Sequence, residues 1–303
     1  MRALLVVNTF ATSTSESLRD VITAALSSEL DLDVIHTTGR EHAIAIGARA
    51  SFEGYELVVT LGGDGTINEV ANGVLNSDQP APLLAALPGG NANVFTRNMG
   101  YPNEPIDATA HLLKAIREGR QTQVGVGVLE TPTVNRYFLF NAGMGVDAAV
   151  LARMHERRID GKKASDLAYT WLAGKELLHW VNRKNPSLTV AGTRAHFALI
   201  VNLAPWSYLG NHALNPAPHA KHQTALDLYA PTSVSMATLT RFARAIFTGA
   251  DLASDPDVLA LLDRPEIELS SSEPLWVQVD GEPLVQATTA TLRHIPAALT
   301  VLG

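Results

Sequence analysis

Between Leu57 and Val74 the chain reads LVVTLGGDGTINEVANGV: an apolar run, three glycines around Asp64, then Ile67, Val70, Ala71 and Val74 at helical spacing, a pattern that Leu75 continues. A buried strand, a tight turn and an amphipathic helix follow from that pattern. Glycines let a backbone turn sharply and bring its N–H groups close to an anion, and the start of the following helix adds a favourable dipole. Such a turn can hold phosphate. Asp64 is a poor anion ligand by itself; it makes sense if it orients Mg2+-bound phosphate or accepts bonds from backbone and ribose groups. The purely structural alternative is a strand-to-helix turn with Asp64 as its cap.

A second group of chemistry-bearing residues lies near the end, where LWVQVDGEPL places Asp280 and Glu282 on either side of Gly281 at the tip of an expected strand. Phosphoryl transfer to a hydroxyl needs that hydroxyl aligned, charge neutralised and a carboxylate ready to take the proton. The plain alternative is a β-turn with exposed acids. The ten histidines show no His-Glu-x-x-His spacing, so catalytic zinc has no support.

The elements that must position these groups fall into two patterns. Over the first 120 residues, short apolar runs (ALLVVN, LDVIHT, ELVVTL, LLAAL) alternate with helical patterns around Glu16–Leu30, Arg40–Ser51 and Thr66–Leu75. Strands apolar on both faces indicate a parallel sheet covered by helices, whose ligands bind beyond the carboxyl ends of the strands. Asn8, Thr37-Thr38, Gly62-Gly63-Asp64 and Pro88-Gly89-Gly90-Asn91 would converge on that edge. From about residue 122, Val, Thr and Gly alternation between turn signals indicates an antiparallel β-rich domain, a sandwich, with helical inserts near Asp166–Trp180 and Met236–Thr248. The expected division is 1–121 and 122–303, with the last strand able to return to the first domain and a cleft between the two.

Composition narrows the classes. A chain of 303 residues with 46% apolar and 17% charged residues is globular, and a net charge of −7 argues against nucleic acid as the main partner. Zero cysteines exclude disulfides and thiolate chemistry and fit a cytoplasmic location. The apolar stretch Ala3–Val7 is shorter than the roughly 7–15 residues of a signal-peptide core, and nothing approaches the ~18 apolar residues of a spanning helix. Membrane contact would be peripheral.

The glycine segment closely resembles the nucleotide loop of the diacylglycerol kinase catalytic family, matched by Gly62 through Thr66, Asn68, Glu69, Val70 and Gly73. LPGGNANVFTRNMG, from Leu87 to Gly100, resembles the family's next element at Pro88, Gly90, Asn93, Phe95 and Arg97, while Asn91 stands for its usual Thr and Val94 for its usual Asp. NAD kinases and phosphofructokinases share Gly-Gly-Asp-Gly without the Asn-Glu pair directly after it. The resemblance implies a Rossmann-like α/β domain of the NAD kinase and phosphofructokinase type, followed by a β-rich sandwich that binds the lipid. It implies transfer of the ATP γ-phosphate, with Mg2+, to a hydroxyl of diacylglycerol or a related lipid such as a sphingoid base. Glu282 is then the general base and Asp280 a supporting or Mg2+-organising carboxylate. Asn8, Thr38, Gly62, Gly63, Asp64, Gly65, Thr66, Asn68, Glu69, Gly90 and Asn91 form the nucleotide site.

Other segments depart from the family or read either way. Only Asn8 survives of the family's first loop; Thr12 through Ser15 offer hydroxyls to a phosphate or else cap the following helix. Phe140–Val150 reads as close strand–helix packing, and LAPWSYLGN as an acyl-chain wall or as core. Arg153–Lys163 is a basic stretch for anionic headgroups or a solvated helix end. Where the family has an acidic run that binds a structural metal, His222, Gln223 and Thr224 leave only Asp227, and that metal is not expected. No residue is assigned as a metal ligand. A homodimer is compatible with the sequence. The alternatives are an NAD kinase-like activity and a nucleotide- or lipid-binding protein that has lost catalysis.

Overall fold

The structure is a computed structural model, and it describes residues 1–9, 15–159 and 186–303. The chain divides into two compact units: Met1–Val126 with Ser207–His212 and Pro296–Gly303, and Gly127–Trp206 with Ala213–Ile295.

In the first unit, β1 (Arg2–Val7), β2 (Asp31–His36), β3 (Leu57–Gly62) and β4 (Leu83–Pro88) run parallel in the order β4-β3-β1-β2. One face of these strands, Leu5, Val7, Val59 and Leu61 among them, packs on Ile22 and Leu26 of α1 (Glu16–Ser27), and Ala108 and Leu112 of a helix over Pro105–Glu118 join the same core. The alternate residues Leu4, Val6 and Val58 are equally buried. On their side lie α2 (His42–Phe52) and α3 (Asp64–Leu75). This is the helix-covered parallel sheet that the apolar runs imply.

Gly73 serves packing rather than a ligand. A Cβ there would lie 2.0 Å from the Ile44 carbonyl oxygen of α2, and one on Gly47 of α2 would lie 2.4 Å from that of Val70. The glycines let α2 and α3 approach backbone to backbone.

Two helices of this unit have no counterpart in the expected elements: α4 (Val94–Asn98) and α5 (Pro105–Glu118). Proline in the first turn and Gly119 at φ 64° bound α5, the usual asymmetry of helix ends.

From Gln121 onward the chain forms β5 (Gln121–Glu130), β6 (Asn135–Phe138), β7 (Asn141–Met144), α6 (Val146–Ile159), β8 (Leu188–Val190), β9 (Thr193–Ala195) and β10 (Ala198–Val201). There follow β11 (Ser207–Leu209), β12 (His212–Leu214), β13 (Leu226–Pro231), α7 (Met236–Thr248), β14 (Val258–Arg264), β15 (Glu266–Val279) and β16 (Glu282–Leu302). The second unit is antiparallel, with β14-β13-β10-β7-β15-β16 as its main path, and its core includes Phe138, Phe197, Leu228, Tyr229, Val277 and Leu292. The α7 helix has the expected bounds, set by the Ser235 hydroxyl accepting the Thr238 N–H at one end and Gly249 at φ 70° at the other. The end of β16 belongs to the first unit: Val301 pairs in parallel with Leu84 of β4, and Tyr101 Oη donates to the Leu302 carbonyl at 2.6 Å. The helical pattern at Asp166–Trp180 lies outside the described residues.

Candidate active site

In the first unit the strand order reverses between β1 and β3, since the chain leaves β1 for β2 on one side and returns to β3 on the other. In an open α/β sheet that switch point, at the carboxyl ends of the strands, is where a ligand crevice forms. Asn8 stands there. Its N–H donates to the Leu61 carbonyl at 3.0 Å, its Nδ2 donates to Thr66 Oγ1 at 2.9 Å, and its Oδ1 accepts from Thr37 Oγ1 at 3.5 Å, so one side chain links the ends of β1, β2 and β3.

The two glycine loops lie backbone against backbone. Gly89 N–H donates to the Gly62 carbonyl at 2.8 Å, and a Cβ on Gly90 would sit 2.8 Å from Gly63 Cα. Glycine is therefore required at 62, 89 and 90 for the loops to approach each other. Around Gly65, by contrast, a Cβ would meet nothing within 4 Å. The α3 helix begins on Gly63 with no side-chain cap, so its N-terminal end is left to a ligand or solvent.

Asp64 belongs to the first turn of α3 rather than to a free loop. Its Oδ1 accepts the Phe95 N–H at 3.0 Å, which fastens the glycine turn to α4. Burial pushes its carboxyl above the ordinary range, against the pull of the Phe95 and Val94 amides. Asn93, at φ 49°, closes the second loop by accepting the Gly90 N–H at 2.8 Å and donating to the Gly90 carbonyl at 3.0 Å. Asn91 is exposed at the rim, and Val94 is buried. Arg97 stacks on Tyr208 at 3.5 Å and donates to the Gly210 carbonyl at 2.9 Å.

Asn8, Gly62, Gly63, Asp64, Gly65, Thr66, Gly90 and Asn91 are thus at or beside the carboxyl edge of the sheet. Three other residues expected there have different engagements. Glu69 Oε2 accepts the Ala43 N–H at 3.1 Å, capping α2, whose own N-cap Glu41 supplies no side-chain bond. Asn68 is 2% exposed and its Oδ1 accepts from Asn72 Nδ2 at 3.1 Å, one turn along the same helix. Thr38 is exposed beyond β2, its N–H bonded to His42 Nδ1 at 3.0 Å. Thr12, Ser13 and Thr14 lie outside the described residues, as does the basic stretch beyond residue 159. The Ser15 hydroxyl caps α1 through the Leu18 N–H.

In the second unit, Asp280 and Gly281 form the two-residue link between β15 and β16, with φ 47° and 81°. Both are left-handed, the type I′ geometry for which Asp-Gly is a favoured pair. Asp280 is not the exposed or Mg2+-organising carboxylate expected of it. It is buried, with Oδ2 accepting the Leu139 N–H at 2.7 Å and Oδ1 accepting those of Phe140 and Asn141 at 2.9 and 3.0 Å. Three amides on one carboxylate make Asp280 an anchor that fixes the turn on the segment before β7. Glu282 is the acid the turn presents: partly exposed, with Oε2 3.4 Å from Arg136 Nη2.

Sequence reasoning passed over Asp147 and Gln278. Asp147 opens α6, and Gln278 Nε2 donates to its Oδ2 at 3.0 Å. Burial pushes the Asp147 carboxyl up to about 6, the Gln278 bond acting in the opposite direction. The signal was an acid directly after the small residues of NAGMG, where close strand–helix packing desolvates whatever follows. A Cβ on Gly143 would lie 3.1 Å from Gln278 Nε2, in keeping with the close packing expected of that segment.

The sequence profile of the diacylglycerol kinase catalytic domain matches residues 2–129, and that of the YegS C-terminal NAD kinase beta sandwich-like domain matches 141–303. The chain belongs to the diacylglycerol kinase catalytic family. The proteins named diacylglycerol kinase in Staphylococcus aureus strains JH9 and Newman are each 38% identical to it over 97 residues, 32% of this chain and 28% of theirs. The crystal structure of a diacylglycerol kinase from Bacillus anthracis str. Sterne aligns with a TM-score of 0.70 at 20% identity, covering 99% of this chain and 96% of that one. A second structure from that organism aligns at 0.72 with 22% identity, over 99% and 97%. Both share the fold, an α/β domain followed by a sandwich-like one.

Within that family, the residues here fit a nucleoside triphosphate in one respect: an uncapped helix N-terminus beside Gly65, where there is open space. For Mg2+ the fit is narrower. No group of three or more His, Asp or Glu side chains among the described residues could hold a metal, so the ion would come with phosphate oxygens and at most a carboxylate such as Asp64. At the position of the family's acidic run, Asp227 is buried, with one oxygen on the Asp263 N–H at 2.9 Å and the other without a hydrogen-bond partner.

Proposed function

We propose that this protein is an ATP-dependent lipid kinase that phosphorylates a hydroxyl of diacylglycerol or a related lipid. The observation that carries the reading is the glycine-lined turn at the switch point, with Asn8, Gly62–Thr66 and Gly90 held together in a chain that belongs to this family. Bound ATP supplies the transferable γ-phosphoryl group, and its Mg2+ offsets the charge that develops on it. The amides at the start of α3 and the Thr66–Asn8 pair hold phosphate oxygens, and Asp64 keeps the two loops in register. Glu282 takes the proton of the lipid hydroxyl as its oxygen bonds to phosphorus and the bridging oxygen leaves with the diphosphate. Arg136 orients Glu282. The lipid comes from a membrane surface contacted peripherally; no described helix is long and apolar enough to cross one.

The deciding experiment is transfer of labelled γ-phosphate from Mg·ATP to diacylglycerol, monoacylglycerol, sphingosine and ceramide in mixed micelles, with NAD as a further acceptor. Label in a lipid is expected. Label in NAD alone would move the activity to the NAD kinase type, a reading favoured by the second profile match; ATP binding without transfer would make this a binding protein.

Asp64→Asn tests the nucleotide site. Asparagine Oδ1 still accepts the Phe95 N–H, so the fold is kept while the charge is lost. Removing a charged partner worth about 1.5–3 kcal/mol should lower ATP-dependent turnover or ATP affinity by roughly 10–100-fold, with thermal stability unchanged. Wild-type kinetics in the variant would take Asp64 out of the site.

A further inference from the structure

Gln278 is 1% exposed and lies two residues before Asp280 on β15. Its amide makes three hydrogen bonds of 3.0 Å: Oε1 accepts the Gly281 N–H, and Nε2 donates to Asn141 Oδ1 and Asp147 Oδ2. This orientation follows from chemistry, because a backbone N–H can only donate; the oxygen must face the turn, and the nitrogen then faces the two side-chain acceptors. One buried amide thus connects α6, β7 and the β15–β16 turn.

We propose that Gln278 is a positioning residue that passes the ionisation of Asp147 to the Asp280–Gly281 turn, and through it to Glu282. The inference rests on the reading of Glu282 as proton acceptor. Ionised Asp147 is a stronger acceptor than the acid; it polarises the Gln278 amide, which strengthens the bond that Oε1 receives from Gly281 N–H. Glu282 is the next residue, paired with Val279 at the start of β16. A tighter turn holds its carboxylate in one place, whereas protonation of Asp147 loosens it.

The groups around Asp147 leave it responsive. The α6 helix packs on β15 and β7. Strand β7 carries no titratable side chain, and the acids of β15 are Glu266, Glu268 and Glu273, toward its other end. Asp280 is held by three amides and Glu282 by Arg136. The causes of the Asp147 shift are burial and the Gln278 bond alone, which bring its titration to about 6.

The test is a pH titration of the full chain followed by the Gly281 amide nitrogen and proton shifts, beside the pH profile of lipid phosphorylation. In the wild type, Gly281 should titrate with a midpoint near 6, and kcat should fall on the acid side of the same midpoint while the nucleotide KM stays constant. Asp147→Asn, which can still accept from Gln278, should abolish the Gly281 titration and that limb of the profile. Gln278→Leu should disconnect Gly281 from Asp147, where a merely structural residue would lower activity equally at every pH. A Gly281 signal that stays fixed across about two pH units on either side of the midpoint overturns the coupling, whatever the activity. Absence of lipid phosphorylation in the wild type overturns the Glu282 reading instead, and the amide titration separates the two.

Discussion

Replacing Glu282 with glutamine is expected to cut lipid phosphorylation by about 10²–10⁴-fold, the contribution of a positioned general base. Glutamine keeps the length and one oxygen to face Arg136, 3.4 Å away in the native pair, so the variant should fold and bind nucleotide as the wild type does. The loss corresponds to about 2.7–5.5 kcal/mol in the barrier and should fall on kcat, because the proton moves only as the new oxygen–phosphorus bond forms. The pH profile adds a second signature: any acid limb due to Glu282 should vanish with the carboxylate. The assay is steady-state transfer from labelled ATP with the best lipid of the panel. Turnover within a few-fold of wild type would remove Glu282 from the chemistry and leave the turn as a structural corner.

The first unit was largely legible because its signals are local. Strands buried on both faces give uninterrupted apolar runs, and a glycine turn between strand and helix declares itself within eighteen residues. The same glycines were legible in place but not in purpose. Gly62, Gly89 and Gly90 allow two loops to touch, and Gly73 allows two helices to cross, contacts whose partners are distant in sequence. Glu69 was misread for the same reason. An acid in a motif beside phosphate-binding glycines suggests a ligand contact, and only the fold reveals that Ala43, twenty-six residues earlier, offers it an uncapped amide. The α5 helix carried usable marks, Pro105 and Gly119, that the apolar rhythm alone does not register.

In the second unit, types of element were legible and side-chain destinations were not. Asp280 illustrates the limit: Asp-Gly between apolar strands predicts a tight hairpin, and such turns ordinarily point their acids at water. Here the amides that receive Asp280 come from Leu139, Phe140 and Asn141, about 140 positions away. Asp147 and Gln278 are likewise joined across 131 positions. Buried polar networks of this kind depend on strand register, which a single sequence leaves open.

The second large effect is therefore on stability. Asp280→Ala should lower the unfolding free energy by several kcal/mol, since each of three buried N–H groups left without its acceptor costs about 1–3 kcal/mol. Set against a typical total of about 5–15 kcal/mol, that is enough to unfold much of the protein at moderate denaturant. The left-handed backbone at φ 47° adds to the cost, because alanine tolerates it less well than aspartate or asparagine. Asp280→Asn separates anchoring from catalysis. Its Oδ1 can keep the Phe140 and Asn141 amides, but its Nδ2 would face the Leu139 N–H, donor against donor, so an intermediate loss of about 1–3 kcal/mol is expected. Denaturant unfolding of the wild type and both variants measures the series. Full stability in Asp280→Ala would overturn the anchoring role. A carboxylate that served Mg2+ would give the opposite pattern: the asparagine variant would keep its midpoint and lose Mg2+-dependent turnover. The three amide bonds predict instead that stability falls first, and that activity follows it only as far as the turn beneath Glu282 is loosened.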